Sequence, residues 1–384
     1  MSRLEGTRGA GVRAGTVLIT GGAGFVGSHL ADELLEHGYR VRALDNLDAQ
    51  VHGDANSRPA YLNAEVELIR GDVRDRAAVN RALRGVDAVF HFAAAVGVGQ
   101  SMYEIERYTD VNNRGTAVLL EALSAEPVQR LIVASSMSLY GEGRCQGADG
   151  HIVDPPERSP ERLRAGDFEL RDKDGAALTP LPTPEDKQPA PSSVYALSKL
   201  DQEKLALIIG HAYGVPTVAL RFFNIYGTRQ ALSNPYTGVL AIFAARYLNH
   251  NAPMIFEDGL QRRDFVNVRD VARACRLALQ TDSIGGSVVN IGSGRSISIL
   301  GVAAAMAQAL AIEDLPPQVT RKVRVGDIRH CFADITRANG LLGYTPQVSL
   351  TDGLCELVDW MTSQRAFDRV DAATQELAKR GLRL

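Results

Sequence analysis

Several features that would assign the chain to a special class are missing. The 384 residues contain only four cysteines, far apart and without a CxxC pair, which argues against a disulfide framework or a zinc site. No stretch approaches the run of about 18 apolar residues that a membrane span needs. The 42 basic and 45 acidic residues leave a net charge of −3, which argues against a general nucleic-acid binder. We therefore expect a cytoplasmic globular protein with reduced thiols, no metal, and no membrane or nucleic-acid partner.

A regular alternation of short apolar, β-branched runs and longer amphipathic stretches is present instead. The runs predict strands at residues 16–20, 40–45, 66–70, 88–92, 130–134 and 217–221. The stretches between them predict helices at 26–37, 76–83, 104–123 and 193–212. Strand–helix alternation of this kind is typical of a Rossmann-like α/β fold with a doubly wound parallel sheet.

The alternation breaks at two places. Residues 142–190 are rich in Gly, Pro and charged residues, and we interpret them as an insert. After residue 222 a looser pattern predicts a smaller mixed α/β lobe over 223–364. Its expected helices are 238–249, 269–280, 299–311, 335–342 and 350–362, and its expected strands are 253–256 and 287–291. Residues 1–14 are expected to form a flexible tail, and 365–384 a charged, partly helical C-terminal tail.

A glycine-rich segment follows the first predicted strand. Gly21, Gly24 and Gly27 give the spacing GxxGxxG and open an amphipathic helix. Glycines in this context allow a tight turn and a close approach of backbone amides to a pyrophosphate at the helix N-terminus. An ordinary tight turn would also contain such glycines, but the position between strand and helix indicates a dinucleotide site. The first domain, residues 15–222, is then a dinucleotide-binding domain.

Two acidic residues indicate which dinucleotide cofactor is expected. Asp45 ends the second predicted strand roughly 20 residues after Gly24, where its carboxylate would accept hydrogen bonds from the adenosine ribose and repel a 2′-phosphate. No arginine follows directly, so NAD is preferred over NADP. Asp72 follows the third strand and is expected near the adenine, although an ordinary strand-end turn explains it as well.

A tyrosine and a lysine form the candidate chemical pair. Tyr195 and Lys199 are four residues apart and share one face of a predicted helix. A charge about 4 Å away, at an effective dielectric of about 20, contributes on the order of 4 kcal/mol. We therefore expect Lys199 to lower the pKa of Tyr195 towards neutrality. Ser136 follows a strand at the carboxyl edge of the sheet and can hydrogen-bond a substrate oxygen. Asn112 is either part of a water relay or a helix-surface amide.

These motifs occur in an order that characterises one enzyme family. Over residues 15–362 the chain resembles the extended short-chain dehydrogenase/reductases, in the branch of NAD-dependent nucleotide-sugar epimerases and dehydratases. The resemblance is carried by GGAGFVGSHL, ALDNL, GDVRD, HFAA, SSMSLYG, YALSK, LRFFNIYG, FEDGLQRRDFVNVRDVA and NIGSGRSISI. It implies a catalytic triad of Ser136, Tyr195 and Lys199, a bound NAD and a nucleotide-sugar substrate.

The resemblance also implies roles for further positions. Cofactor contacts are expected from Gly21, Gly24, Phe25, Val26, Gly27, Asp45, Asn46, Asp72, Val73, Phe92, Ala93, Ala94, Asn112, Tyr195 and Lys199. Substrate contacts are expected from Ser136, Ser138, Asn224, Arg263, Arg324 and Asp327. The two arginines suit the recognition of phosphate groups by charge-assisted hydrogen bonds.

The residues after Ser136 narrow the expected reaction. A 4,6-dehydratase of this family carries an Asp-Glu pair there, whereas this chain has Met137 and Ser138, which argues against dehydration. We expect a 4-epimerase that acts through a transient 4-keto sugar. A 4-ketoreductase uses the same triad and stays an alternative. A non-catalytic dinucleotide sensor is the remaining alternative, although such sensors typically lose the tyrosine or the lysine.

The long insert, with LPTPEDK, SNPYTGV and RVGDIRHCFADI, resembles a bacterial subgroup that contains dTDP-L-rhamnose 4-epimerases. A dTDP-6-deoxyhexose of the L-rhamnose or 6-deoxy-L-talose type is therefore the expected substrate, and a UDP-hexose such as UDP-glucose or UDP-galactose is the alternative. Some members carry zinc-ribbon-like cysteine pairs in the insert, but this chain has only Cys145 there. We expect the insert beside the substrate pocket, either as a lid or as a passive loop.

Members of the family commonly form dimers by pairing the helices that correspond to 104–123 and 193–212. A homodimer is therefore expected. Ala117, Leu120 and Leu123 form the candidate interface stripe, although the same stripe would also suit packing against the sheet.

Overall fold

The structure, a computed structural model, describes residues 11–53, 57–236, 238–312, 314–324, 326–364 and 367–383. Its strands are, in chain order, β1 (Thr16–Thr20), β2 (Arg40–Asp45), β3 (Glu67–Arg70), β4 (Ala88–His91), β5 (Arg130–Ser136), β6 (Cys145–Gln146), β7 (Ile152–Val153), β8 (Thr179–Pro180), β9 (Thr217–Phe222), β10 (Asn224–Tyr226), β11 (Met254–Ile255), β12 (Arg262–Asn267), β13 (Val288–Ile291), β14 (Ser296–Ser298), β15 (Gln318–Val319) and β16 (His330–Cys331).

The helices alternate with these strands. They are α1 (Phe25–Glu36), α2 (Ala49–His52), α3 (Arg76–Leu83), α4 (Val98–Ser101), α5 (Ile105–Tyr108), α6 (Gly115–Ala125), α7 (Pro160–Arg164), α8 (Val194–Tyr213), α9 (Val239–Leu248), α10 (Val268–Gln280), α11 (Ile299–Ala309), α12 (Thr336–Leu342), α13 (Leu350–Met361) and α14 (Val370–Lys379). A π-helical turn, Thr109–Arg114, joins α5 to α6, and a 3₁₀ turn, Met137–Tyr140, follows β5. No helix in the described part of the chain is long and apolar enough to cross a membrane.

A parallel sheet of seven strands, in the order β13-β9-β5-β4-β1-β2-β3, organises the described residues. Its central strands β1, β4 and β9 are buried along their whole length, because helices cover both faces of the sheet. The order reverses between β1 and β4, and ligands of open α/β sheets bind at the carboxyl ends of strands around such a switch point. The predicted doubly wound α/β fold is confirmed.

Two apolar layers hold the helices on the sheet. On one face, α1, α10 and α12 pack against the strands through Leu30, Val271 and Ala338. On the other face, α3, α6 and α8 contribute Val79, Leu119 and Ala206. A third apolar cluster joins α9, α11 and α13 in the second lobe, which the sequence pattern also predicts as helical.

The boundary between the two lobes differs from the expected one. The strand expected at 287–291 in the second lobe is β13, and it pairs in parallel with β9 at the edge of the main sheet. Helix α10 also belongs to the first lobe, where Arg276 of α10 forms an ion pair with Glu33 of α1. The dinucleotide-binding lobe therefore does not end at residue 222. The local sequence pattern predicts the strand but not its partner, because pairing is decided by contacts distant in sequence.

Both expected tails contain packed residues. Residues 1–10 lie outside the described part, but Val12 is buried and its amide donates a 2.9 Å hydrogen bond to Leu279 O. Residues 11–14 are therefore attached to the end of α10 rather than flexible. In the C-terminal segment, α14 buries Ala373 and Leu377. Buried apolar side chains explain both differences: Val12 packs beside the end of α10, and Ala373 and Leu377 lie on the inward face of α14.

The insert has more structure than its composition suggests. Strands β6, β7 and β8 form a small antiparallel sheet, and α7 begins at Pro160 with Ser159 as its cap. Buried Cys145 packs there with Leu170 and Leu178 in a separate apolar cluster.

The expected dimer stripe is largely part of the core. Leu120 and Leu123 are 4% and 2% exposed and pack on the sheet side of α6, and only Ala117 lies on the surface. The aliphatic side chains that are exposed on neighbouring helices include Ile105 of α5 and Leu197 and Ile208 of α8.

Candidate active site

A cavity of about 850 Å³ opens at the carboxyl edge of the main sheet. Residues after β1, β4 and β5 line one side, and residues of the second lobe line the other, so the cavity lies where the sheet order reverses. All the candidate site residues except Asn112 line it. Sequence positions from 21 to 327 are thus brought together by the fold at one edge of the sheet.

The glycine turn after β1 is closely packed. Gly21 has a backbone φ of +72°, which residues other than glycine rarely adopt. A Cβ at this position would also lie only 3.0 Å from Ala93 N. A Cβ on Gly27 would lie 2.3 Å from Gly21 O, so only glycine lets α1 start against the turn. Gly24 precedes α1 and no side chain caps this helix end. The first amide groups of α1 are therefore suited to a pyrophosphate.

Asp45 joins this turn to the end of β2. Its Oδ2 accepts a 3.0 Å hydrogen bond from Ala23 N, and its Oδ1 accepts a 2.9 Å bond from Leu47 N. The carboxylate is only 7% exposed, and that part faces the cavity. A carboxylate has about four acceptor sites, so capacity remains for ribose hydroxyl groups.

Asp72 stands after β3 at the same end of the cavity. It accepts a 3.1 Å hydrogen bond from Asn46 Nδ2 and pairs with Arg74 at 2.7 Å. The hydrogen bonds from the Arg74 side chain lower the pKa of Asp72 to about 2. Asp72 is therefore a charged acceptor at neutral pH, and Asn46 is oriented by it.

Ser136, Tyr195 and Lys199 meet between β5 and α8. Helix α8 begins where the side chain of Ser193 accepts a 3.1 Å bond from Ala196 N, which fixes the first turn that carries Tyr195. The Tyr195 hydroxyl is hydrogen-bonded to Ser136, and Lys199 Nζ donates a 2.9 Å bond to Ala134 O. Ser138 Oγ donates to Ser136 Oγ at 2.9 Å. The three predicted side chains thus share one wall of the cavity.

The pKa values of Tyr195 and Lys199 differ from those expected from their spacing on the helix. Burial raises the pKa of Tyr195 to about 12, and the hydrogen bond from Ser136 opposes this shift. Burial also lowers the pKa of Lys199 to about 7. The expectation that Lys199 lowers the pKa of Tyr195 is wrong for this structure, because the same water-poor surroundings disfavour both the phenolate and the ammonium.

Asn112 lies behind the cavity rather than in its wall. Its Oδ1 accepts a 2.7 Å bond from Ala95 N, and its Nδ2 donates to Ala95 O at 3.1 Å and to Ser198 Oγ at 2.9 Å. It is fully buried, so it is not a surface amide, and the predicted cofactor contact is wrong. Its position in a π-helical turn directs it at the segment after β4, which does line the cavity.

The second lobe contributes the candidate substrate residues. Arg263 of β12 donates a 2.9 Å bond to Arg329 O and a second bond to Ile328 O. Arg324 pairs with Asp327 at 2.9 Å, and its guanidinium lies 4.6 Å from the centre of the Phe256 ring. Asn224 Oδ1 is buried without a hydrogen-bond partner among the described residues, so it can accept a bond from a ligand. This set is suited to an anionic, nucleotide-like group.

Other lining residues have no counterpart among the sequence predictions. Gln50 Nε2 donates to Gln100 Oε1 at 3.0 Å and to Asn234 Oδ1 at 3.2 Å, which links α2, α4 and the second lobe across the cavity. Helix α14 adds one face to the wall, formed by Val370, Ala373, Thr374 and Leu377. The spacing i, i+3, i+4, i+7 of that face is a helical signal that is visible in the sequence.

The insert does not contact the cavity in this structure. Among the described residues, none between 142 and 190 lines it. The expectation of a lid beside the substrate pocket is therefore wrong. The insert packs instead along the segment that precedes and includes β16, where Gly143 N donates a 2.7 Å bond to His330 O.

A dinucleotide-binding α/β sheet with serine, tyrosine and lysine at its carboxyl edge defines a short-chain dehydrogenase type of enzyme. The model of the NAD dependent epimerase/dehydratase family matches residues 17–160 and 174–292, and the chain belongs to this family. It is an NAD-dependent enzyme of the nucleotide-sugar epimerase class.

Relatives and solved structures agree with this assignment. The chain is 36% identical to a dTDP-L-rhamnose 4-epimerase of Burkholderia thailandensis over 91% of its length and 95% of that protein. A UDP-glucose 4-epimerase of Thermotoga maritima, solved with UDP-glucose, has a TM-score of 0.74 and 31% identity, with 90% of this chain and 98% of that one covered. A UDP-glucuronic acid 4-epimerase of Bacillus cereus, solved with UDP-glucuronic acid and NAD, has a TM-score of 0.74 and 30% identity over 90% of this chain and 99% of that one.

Proposed function

We propose that the protein is a nucleotide-sugar 4-epimerase that acts on a dTDP-6-deoxyhexose of the L-rhamnose or 6-deoxy-L-talose type. The observation that carries the reaction is the convergence of Ser136, Tyr195 and Lys199 on one wall of a cavity that also contains the glycine turn. The rhamnose-type substrate is supported by the relative from Burkholderia thailandensis. Met137 and Ser138 offer no carboxyl group for the elimination of water, which argues against a dehydratase.

The residues around the cavity fit the cofactor and divide its parts among them. Gly21, Gly24 and Gly27, with Phe25 and Val26, would hold the pyrophosphate at the start of α1. Asp45 would bind the adenosine ribose, and Asn46, Asp72 and Val73 would surround the adenine. Phe92, Ala93 and Ala94, which follow β4, would line the nicotinamide side, and Lys199 would bind the adjacent ribose. NAD supplies, when bound, a reversible hydride acceptor for carbon 4 of the sugar.

The side chains of the triad perform the proton chemistry of this proposal. In its ionised form, Tyr195 accepts the proton of the 4-hydroxyl when carbon 4 is oxidised to the ketone, and returns it when the ketone is reduced from the opposite face. Because burial raises the pKa of Tyr195 to about 12, only a small fraction of the protein carries this form at neutral pH. When the substrate binds, Ser136 would turn its single hydroxyl hydrogen from Tyr195 to the sugar oxygen, and Ser138, which donates to Ser136 Oγ, supports it. The proton that leaves in the first half is the one restored in the second, so the reaction consumes no acid or base overall.

An apolar wall near Tyr195 supports a 6-deoxy sugar. Ser101 Oγ accepts a 3.0 Å bond from Tyr195 N, so α4 is attached directly to the catalytic helix. Val96 and Val98, just before and within α4, line the cavity, and Leu377 of α14 lies against Gly99. The methyl group of a 6-deoxy sugar can pack against these side chains without a hydrogen-bond partner, whereas a hydroxymethyl group has to reach one when it is buried. A UDP-hexose is the second candidate, because the chain is similar to the Thermotoga maritima enzyme.

The test is direct product analysis. Purified protein is incubated with dTDP-L-rhamnose, dTDP-6-deoxy-L-talose and UDP-glucose, without added cofactor, and the products are analysed by NMR. Interconversion of the two dTDP sugars supports the proposal, and conversion of UDP-glucose alone moves the substrate to the UDP-hexoses. A reaction that proceeds only from a keto sugar with stoichiometric NADH or NADPH would identify a ketoreductase. Bound NAD with no turnover of any substrate would identify a sensor.

A homodimer and a cytoplasmic location complete the proposal. Ile105, Leu197 and Ile208 lie exposed on adjoining helices and would be covered by a second copy. The four cysteines are free thiols, as is typical of a reducing compartment. Light scattering at micromolar concentration checks the assembly: a dimer is expected, and the double change Leu197→Glu and Ile208→Glu should give a monomer.

A further inference from the structure

Arg158 connects the insert to the second lobe at a buried position. Its Nε donates a 3.1 Å bond to Glu142 Oε1, and its Nη1 donates a 2.8 Å bond to Glu257 Oε1. Its Nη2 donates a 2.9 Å bond to the main-chain oxygen of Asp327. Each guanidinium nitrogen is therefore used, and one of the bonds ends on a residue that lines the cavity.

Glu142 provides a second connection to the same segment. Its Oε2 accepts a 2.7 Å bond from Arg329 N and a 3.2 Å bond from His330 N, while Oε1 is held by Arg158. Glu142 is 8% exposed and Arg158 is 7% exposed. The insert thus holds residues 327–330 by both a carbonyl and two amide groups of their backbone.

Arg329 adds further ion pairs to the cluster formed by Arg158, Glu142 and Glu257. It is fully buried, and its Nη1 donates to Glu257 Oε2 at 2.9 Å and to Asp258 Oδ1 at 2.6 Å. It also pairs with Glu169, which belongs to the insert. Two arginines and two glutamates are therefore buried together, and burying them is unfavourable unless they remain paired.

The opposite side of the same segment faces the cavity. Arg263 donates to the carbonyl oxygens of Ile328 and Arg329, and Arg324 pairs with Asp327. Arg263, Arg324, Asp327 and Ile328 all line the cavity. Residues 326–330 therefore lie between the insert and the arginines that are suited to phosphate groups.

We propose that the insert is a positioning element for the nucleotide diphosphate, and that Arg158 and Glu142 hold the segment 326–330 so that Arg263 and Arg324 face the ligand. This role rests on the proposed function, because it requires a nucleotide-sugar substrate. A passive surface loop would need neither the paired charges nor the bonds to backbone groups of the cavity wall. Arg158 and Glu142 touch no substrate and act only through this segment.

The role predicts a selective loss of nucleotide affinity. Arg158→Met removes the bonds to Glu142, Glu257, Asp327 O and Phe168 O, with a modest loss of side-chain volume. The affinity for dTDP is expected to fall about tenfold, with a similar rise of KM and a smaller change of kcat. The content of NAD should stay unchanged, because the cofactor side of the cavity is built mainly from the segments after β1, β2, β3 and β4.

The experiment compares variants as NAD-containing full-length protein. Binding of dTDP and of UDP is measured by isothermal titration calorimetry, together with KM, kcat, NAD content and the melting temperature. Arg171→Met is the matched control, because Arg171 lies in the same insert but pairs only with Asp167 and Gly175 O among the described residues. Arg158→Lys keeps the charge and should restore part of the affinity. Glu142→Gln is a second, nearly isosteric variant that decides the outcome where Arg158→Met does not fold.

The outcomes separate this role from the proposed function. Weaker diphosphate binding in Arg158→Met or Glu142→Gln, with retained NAD and an unaffected Arg171→Met, supports the role. Wild-type affinity in folded Arg158→Met and Glu142→Gln overturns it and leaves the proposed function intact. If the wild type binds neither dTDP nor UDP, the proposed function fails, and the positioning role fails with it.

Discussion

Lys199 donates a 2.9 Å hydrogen bond to the carbonyl oxygen of Ala134, two residues before Ser136. The bond joins the helix that carries Tyr195 to the strand that carries Ser136. The relative position of the two hydroxyl groups is therefore set by a contact between a buried ammonium and a buried backbone carbonyl. Burial of Lys199 is also unfavourable for its charged form, because it removes the ammonium group from water.

Lys199→Met is expected to abolish turnover and to stabilise the protein freed of NAD at pH 7. The pKa of Lys199 is about 7 in the folded protein and 10.5 ordinarily. Between these values the unfolded chain binds more protons, so wild-type stability rises with pH across this window, and the penalty is fully present below pH 7. A pKa shift of this size lowers the free energy of unfolding by roughly 4 to 5 kcal/mol when the lysine is charged in both states. It exceeds the loss of about 1 to 3 kcal/mol from an unpaired carbonyl of Ala134.

Melting temperatures between pH 6 and pH 10 measure this effect. The variant should melt higher than the wild type at pH 7, and the difference should shrink as the pH rises. Lys204→Met, a change at an exposed site of the same helix, is the control and should show neither trend. A lower melting temperature for Lys199→Met at pH 7 would show that the lysine is not destabilising.

Ser136→Ala is expected to move the pH dependence of turnover to higher pH. Burial raises the pKa of Tyr195 to about 12, and the hydrogen bond from Ser136 opposes that shift. Removing the serine hydroxyl therefore raises the pKa further, and a smaller fraction of Tyr195 is ionised at any given neutral pH. Turnover should fall about 10²-fold to 10⁴-fold near pH 7, a range typical for the loss of acid–base assistance, and recover partly in alkaline buffer.

The measurement is a pH–rate profile of kcat for the wild type, Ser136→Ala and Ser136→Thr. The threonine variant keeps a hydroxyl group and should lie close to the wild type in the position of its profile. An unshifted profile for Ser136→Ala, at whatever rate, would mean that Ser136 does not influence the ionisation of Tyr195.

Asp45→Asn is expected to weaken NAD binding and to reduce the discrimination against NADP. Ala23 N and Leu47 N bond to different oxygens of Asp45, and asparagine has only one oxygen that can accept, so one of these amides loses its partner and the glycine turn loses support as well. A loss of about 1 to 3 kcal/mol in NAD binding follows from one unpaired buried amide. Glu36→Gln on the exposed side of α1 is the control.

Fluorescence titration of the protein freed of cofactor with NAD and with NADP measures this preference. The ratio of the two dissociation constants should move towards one in Asp45→Asn. Unchanged selectivity would assign the discrimination to another residue.

Leu377→Asp is expected to raise KM for the nucleotide sugar without changing NAD content. Leu377 is 7% exposed, lines the cavity and packs next to Gly99. A carboxylate in this apolar wall would either remain unpaired near the substrate or draw α14 away from the cavity. Lys379→Asp, a charge change at an exposed site of the same helix, is the control. Steady-state kinetics with equal KM values for the wild type and Leu377→Asp would exclude α14 from the substrate site.

The predictable parts of the fold and site are those with a local signal. The glycine turn, Asp45 at the end of β2, and the pair Tyr195 and Lys199 can be found because each depends on residues that are close in sequence. Ser136 can be predicted because the apolar run before it indicates a strand that ends just before this residue. These residues do line one cavity in the structure.

The parts that escaped prediction depend on contacts between distant segments. The local sequence predicts β13 and α14 as elements. It does not show that β13 pairs with β9 or that α14 packs against the segment after β4. The same holds for Arg158, which is one of several arginines in a charged segment until the fold surrounds it with Glu142 and Glu257. Helix spacing predicts the wrong direction for the pKa shift of Tyr195 for a related reason, because it shows the neighbouring lysine but not the burial of the hydroxyl.

The placement of β13 limits how this enzyme can be recombined with its relatives. The chain leaves the main sheet after β9, builds much of the second lobe, returns to add β13, and leaves again. A chimaera that exchanges everything after residue 222 would therefore give the recipient a foreign edge strand and a foreign α10 against its own α1. A graft intended to change sugar specificity should keep α10 and β13 with the first lobe and exchange only the segments on either side of them.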